Sequence, residues 1–179
     1  MLKPAIEELK LRANNGDGEA CYQLYQEYKL GNNVSLDEAE ALCWLEKAID
    51  LEHPVAQLVM GISFLNIGMF QDAIDYLTLS CQNENTDAKN ILGQILVGNV
   101  KEVPDSFLDI NKGFELLTSS AFSGNVFAQL GLGRIYLDGL LTKKDRFAAE
   151  FWLDKAAKQN NVEAAVLLEE SQMVLSLLN

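Results

Sequence analysis

The sequence predicts an all-α chain in which antiparallel helix pairs stack into an α-solenoid, with about four pairs, a flanking helix at either end and about nine helices in all. Three observations carry this expectation. An alanine that opens a helical apolar stripe recurs at Ala20, Ala56, Ala88, Ala128 and Ala164, at intervals of 36, 32, 40 and 36 residues. Trp44 and Trp152 fall at one phase of that repeat, each seven residues after an aspartate, Asp37 and Asp145. Between turn residues, apolar positions recur three and four apart, the period of an amphipathic helix.

An opening helix is expected first, with Ala5, Leu9 and Ala13 on one stripe and Pro4 in the first turn, closed by Asn14 to Gly18. The first full unit follows. Ala20, Leu24 and Tyr28 mark its first helix, and Gly31-Asn32-Asn33 closes it. Ser35 to Glu38 opens the second helix with capping-box spacing between Ser35 and Glu38. That helix carries Ala41, Trp44, Leu45 and Ala48 and ends before His53-Pro54, because a residue preceding proline avoids helical dihedrals.

The second unit runs from Ala56 through Met60, Gly61 and Phe64 to a turn near Asn66–Phe70, then Ala73, Tyr76, Leu77 and Cys81. The third places Ala88, Leu92, Gly93 and Leu96 before a longer loop, NVKEVPDSFLDIN, and resumes at Lys112, Leu116, Leu117 and Ala121. Length changes at the turn within a pair are tolerated. The fourth unit, from Ala128 through Leu132, Gly133, Tyr136, Gly139, Asp145, Ala149, Trp152, Leu153 and Ala156, keeps every spacing of the first. A last helix through Leu168 and Met173 to Leu178 puts Glu169 where glycine stood, as a wetter terminal cap would. The expected organisation is one domain, 1–179, divided into an opening helix 1–19, repeats 20–55, 56–87, 88–127 and 128–163, and a capping helix 164–179.

Elementary energetics account for the pattern. Glycine inside a helix costs about 1 kcal/mol against alanine, so Gly61, Gly93 and Gly133 at one phase predict a close approach of a neighbouring backbone. Burying a tryptophan returns at most roughly 4–6 kcal/mol, which suits Trp44 and Trp152 to wedging helices apart. Helices of a dozen residues are marginal alone, so each pair must stack on the next.

A unit reading Ala-x3-Leu-Gly-x2-Tyr-x2-Gly, then Asp, then Ala-x2-Trp-Leu-x-Lys-Ala-Ala resembles the Sel1-like repeat, a relative of the tetratricopeptide repeat. The resemblance covers nearly the whole chain and implies a right-handed α-solenoid that acts as an adaptor in complex assembly, signalling, or host or competitor interaction. The units depart from the pattern at Tyr25 in place of glycine, Gly113 in place of alanine, and Tyr76 and Leu116 in place of tryptophan. Unit two reads equally as tetratricopeptide-like.

Composition bounds the function. The 14 Lys/Arg against 26 Asp/Glu give a charge of −12, with 6 against 15 in residues 1–100 and 8 against 11 in residues 101–179. So acidic a chain repels nucleic-acid phosphates and anionic membranes and attracts basic protein partners, unless its acidity serves solubility alone. Charges interrupt the N-terminal stretch and no apolar run reaches 18 residues, so a cytoplasmic protein without signal peptide or membrane span is expected. Cys21, Cys43 and Cys81 lack CxxC spacing and His53 is the single histidine, so the cysteines are expected to be reduced core residues, with no metal and no cofactor.

Gly131-Leu132-Gly133 lacks the third glycine and the preceding strand of a nucleotide loop, and His53 reads as a turn residue. Lys143, Lys144 and Arg146 read as a solvated turn. No catalytic residue is assigned. The helix phase pointing away from its pair partner gives the candidate partner-binding residues Tyr22, Gln26, Lys29, Leu58, Ile62, Leu65, Asn90, Gln94, Val97, Leu130, Arg134 and Leu137. They either line an exposed concave groove or are buried by packing of the superhelix. Phe107 joins them from the third loop, whose Val103, Phe107, Leu108 and Ile110 either dock back or dock a partner.

The expected function is a non-enzymatic protein–protein interaction module. Within that class the charge suggests a bacterial cytosolic immunity protein masking a basic toxin or effector. The alternatives are an adaptor assembling a regulatory or envelope complex and, from another class, a hydrolase whose carboxylates the solenoid brings together.

Overall fold

A computed structural model describes residues 3–139 and 141–176; the expectation at Leu178 lies outside them. Among the described residues there are ten α-helices and no strand, one helix more than the approximate count read from the sequence. The first compact unit, residues 1–85, holds α1 (Lys3–Asn14), α2 (Gly18–Leu30), α3 (Glu38–Asp50), α4 (Pro54–Asn66) and α5 (Phe70–Gln82). The second, residues 86–179, holds α6 (Thr86–Leu96), a 3-10 turn at Asp105–Phe107, α7 (Ile110–Phe122), α8 (Val126–Asp138), α9 (Arg146–Ala157) and α10 (Val162–Ser176). Helices pack as hairpin pairs, α2 with α3 and α4 with α5 in the first unit, α6 with α7 and α8 with α9 in the second.

Each pair begins two residues before the alanine that marks it in the sequence, and the reason is a repeated cap. The residue three positions before that alanine accepts the alanine's N–H: Asp17 from Ala20 (3.0 Å), His53 from Ala56 (3.2 Å), Asn125 from Ala128 (3.0 Å) and Asn161 from Ala164 (2.8 Å). The cap satisfies one of the orphan donors of the first turn. All four alanines are fully buried. The second helices of three pairs are capped alike, by Asp37, Asp109 and Asp145. Thus Asp37, not Ser35, starts α3. Gly31 and Gly139 end the first helices of their pairs at φ 67°, in the left-handed region open to glycine.

The pairs close through a glycine–leucine contact. A β carbon on Gly61 would stand 2.9 Å from Leu77, on Gly93 2.8 Å from Leu117, and on Gly133 2.6 Å from Leu153. The close approach expected at these glycines is therefore made mainly by a fully buried leucine of the second helix. Trp152 is buried in the second unit with Leu117, Ala128, Leu132 and Ile135. Trp44 is buried in the first, its Nε1 donating to Glu40 (2.9 Å) and the Lys47 ammonium over its ring.

Buried polar groups repeat too. Ser80 donates to the Pro54 carbonyl (2.7 Å) and Ser120 to that of Thr86 (2.8 Å), each tying the second helix of a pair to the start of the first. Cys21 and Cys81 are core residues, and burial pushes the Cys21 thiol above its usual range. Cys43 departs from the expectation: it sits on the outer face of α3 and is exposed.

Candidate functional site

In the second unit the first helices of the two pairs, α6 and α8, turn one face toward α10, and a groove of about 930 Å³ opens between them. Six residues singled out by the sequence line it together: Asn90 and Gln94 from α6, Val97 just past its end, and Leu130, Arg134 and Leu137 from α8. Asn90, Val97 and Leu130 are nonetheless buried, at 9%, 5% and 7% exposure, so they form the floor. Arg134 is exposed at the rim and pairs with Glu163 of α10.

Gln94 is fixed in place. Its Oε1 accepts from the Asn99 amide at 2.6 Å, and its Nε2 lies over Gly131, where a β carbon would come within 2.5 Å of it. A side chain at Gly131 would displace the end of Gln94 from this packing. Asn90 contributes a buried amide whose Oδ1 has no hydrogen-bond partner among the described residues.

The sequence reading missed Asn99, Gly131, Asp138, Glu163 and Leu167, which also line the groove. Glu163 and Leu167 sit at the phase of Phe127 and Gly131 on α8, not at that of the residues chosen there, so the helical period carried no signal for them. The third loop turns inward: Val103 is buried, Leu108 lies against Gly98, and Phe107 is half-buried in the 3-10 turn.

The first unit brings its candidates together less completely. Tyr22 stacks on His53, ring centroids 4.9 Å apart. The His53 Nε2 lies 2.9 Å from Glu19, whose carboxyl is held below its usual range by that contact and by Gln23. Burial pushes the Tyr22 hydroxyl up. Lys29 donates to the Tyr25 hydroxyl at 2.7 Å and Gln26 is exposed, while Leu58 is buried and Ile62 and Leu65 are half-buried. His53 serves as the cap of α4.

Chemically the groove offers amides, aliphatic floor and one ion pair. Among the described residues no three His, Cys, Asp or Glu side chains are grouped to hold a metal ion, and no helix is long and apolar enough to cross a membrane. Of the carboxylates lining the groove, Asp138 and Glu163, the latter is engaged by Arg134. Arg146 of the basic loop cluster is likewise engaged, by Glu150 at 2.7 Å.

The Sel1 repeat family model matches residues 18–53 and 126–161, the first and fourth helix pairs. A Sel1 repeat protein from Oxalobacter formigenes superposes with a TM-score of 0.78 at 26% identity, over 92% of this chain and 67% of that one. A protective antigen of uropathogenic Escherichia coli with an SLR fold also gives 0.78, at 24% identity over 89% of this chain and 34% of that one. An immunity protein from Pseudomonas aeruginosa gives 0.56 at 23% identity, over 89% and 59%. Chitin synthase regulatory factor 3 of Schizosaccharomyces pombe is 24% identical over 172 residues, and the chain spans 18% of its length.

Proposed function

Since the chain carries Sel1 repeats, whose fold is typically a non-enzymatic scaffold for protein–protein interaction, we propose that it binds a partner protein in the groove of the second unit. The observation that carries this reading is the convergence of α6, α8 and α10 on one opening with a buried aliphatic floor and a charged rim at Arg134 and Glu163. Pockets of this make-up, mostly apolar with a few placed polar groups, are where proteins hold ligands.

The chain's −12 charge favours a basic partner, and a cytosolic immunity role against a basic toxin is the finer form of the proposal. The likeness to the Pseudomonas aeruginosa immunity protein supports it only through the shared fold. The second reading, an adaptor in a regulatory complex, draws on the name of the Schizosaccharomyces pombe relative.

The test is affinity capture with the wild-type chain beside Glu163→Lys, followed by titration of the purified captured protein into each. Binding that weakens with added salt and is weakened in Glu163→Lys supports the reading; equal binding by both contradicts it. Co-expression that rescues growth from a captured toxin separates immunity from adaptor.

A further inference from the structure

We propose that the outer face of α9 is a second docking surface, separate from the groove, and that it takes an acidic amphipathic helix of a partner protein. Phe147, Phe151 and Phe122 are exposed there, at 85%, 49% and 71%. Phe147 and Phe151 lie one turn apart on α9, and Phe122 ends α7 beside them: Phe122 and Phe151 both stand edge-on to the Trp152 ring, with centroids at 4.9 Å. Trp152 itself is buried, so the two flanking rings are fixed from below. The repeat does not ask for these rings. Five residues before the tryptophan position the other pairs carry Ala39, Gln71 and Asn111 where α9 has Phe147, and one residue before it Cys43, Asp75 and Glu115 where α9 has Phe151. Six residues after it stand Asp50, Gln82 and Lys158 where α7 has Phe122. The scaffold forms with small or polar residues at these phases, so the three phenylalanines answer to something outside the fold.

The charges along the stripe select the occupant. Each carboxylate of α9 and its cap is engaged: Asp145 caps Ala148, Glu150 holds Arg146 at 2.7 Å and Asp154 holds Lys158 at 2.7 Å. Lys155 follows Phe151 by one turn, its ammonium 5.0 Å over that ring, and Lys143 precedes Phe147 by four residues in the turn that leads into α9. Neither lysine pairs with a carboxylate among the described residues. An aromatic stripe with an unneutralised cation beyond either end, in a chain of charge −12, matches carboxylates flanking an apolar stripe on the partner. A helix has the right form: α9 is 12 residues, about 18 Å, and a second helix laid along it interdigitates its own apolar row with Phe147 and Phe151. A second copy of this chain does not fit, since two-fold pairing of the face sets lysine against lysine. An anionic membrane is opposed by the overall charge.

The experiment displays on phage a library of peptides of about sixteen residues, long enough to lie along α9 as a helix, with an apolar stripe at helical period and all other positions random. The library is panned against the full chain, and synthetic copies of the recovered peptides are measured by fluorescence anisotropy. They are expected to carry more Asp and Glu than Lys and Arg, and to bind about tenfold more weakly or worse to Phe147→Ser and to Lys155→Glu. Should Phe147→Ser melt below the wild type, Lys155→Glu gives the reading. Glu163→Lys, which alters the groove and not α9, is expected to bind the peptides as the wild type does, so the two surfaces are tested apart. Recovery of no binder, binders rich in Lys and Arg, undiminished binding by both α9 variants, or binding lost in Glu163→Lys overturns the inference. So does a wild-type chain that sediments as a dimer, or floats with vesicles of phosphatidylcholine and phosphatidylserine, and loses that property in Phe147→Ser.

Discussion

Gly93 and Gly113 face one another across α6 and α7 so closely that a β carbon on the first would lie 3.1 Å from the second's carbonyl oxygen, and one on the second 3.0 Å from the first's. A β carbon on Gly113 would also meet Val97 at 2.8 Å and Leu96 at 2.9 Å. Two of those three neighbours are rigid, a backbone oxygen and a β carbon, so the clash has no cheap relief. Gly113→Ala gains about 1 kcal/mol of helix propensity and loses about 1–3 to overpacking. The expected outcome is a lower melting temperature, read by thermal denaturation, and a displaced Val97 at the groove floor.

The turn before each pair holds one residue in the left-handed region: Gly16 at φ 88°, Glu52 at 56°, Glu84 at 61°, Gly124 at 95° and Asn160 at 64°. Where the residue is glycine the conformation is free of strain; at Glu52 it is not. Glu52→Gly is expected to stabilise the protein by up to about 1 kcal/mol, since its carbonyl still accepts from Asn83. Urea denaturation with an unchanged slope and a higher midpoint is the expected result.

Trp152 joins α9 to the helices before it, with Phe122 and Phe151 set edge-on to its ring, both at 4.9 Å. Trp152→Ala is expected to cost about 3–5 kcal/mol, enough to unfold the second unit near ambient temperature. An unchanged melt would contradict the packing described for α8 and α9.

Asp17 and Glu19 make the first unit sensitive to acid. The Ala20 N–H, and after it the Arg12 guanidinium, hold the Asp17 carboxyl below its usual range, and His53 and Gln23 do the same for Glu19. A carboxyl whose folded-state pKa is depressed stabilises the fold above its unfolded pKa, and loses that contribution as pH falls through the folded value. Urea midpoints are therefore expected to fall as pH drops below about 4. Asp17→Asn keeps a capping side chain but flattens that decline.

Much of the fold was legible because its signals are local. The helix pairs follow from the alanine repeat, and the buried positions of Leu77, Leu117 and Leu153 follow from their spacing. The caps at Asp17, Asn125 and Asn161 are equally local, but Asp and Asn serve turns as readily as helix caps, and in sequence they read as turn residues. The misplacement of Cys43 had another origin: a cysteine is usually buried, but this one lies one residue off the buried stripe of Ala41, Trp44, Leu45 and Ala48. The groove was half legible. Helical phase gave Asn90, Gln94, Leu130 and Arg134, whereas the pinning of Gln94 by Asn99 and Gly131 is a contact between elements that no periodicity encodes.

The central claim is that the partner enters the groove of the second unit. The competing surface is the outer face of α9, where Phe147 is 85% and Phe151 49% exposed. Backbone amide chemical shifts followed by NMR as the captured partner is titrated into the isotope-labelled chain test the claim directly. The account predicts that the largest shifts fall at Gln94, Asn99, Gly131, Arg134 and Leu137. Shifts confined to Phe147, Phe151 and their neighbours, with the groove residues unmoved, would contradict it.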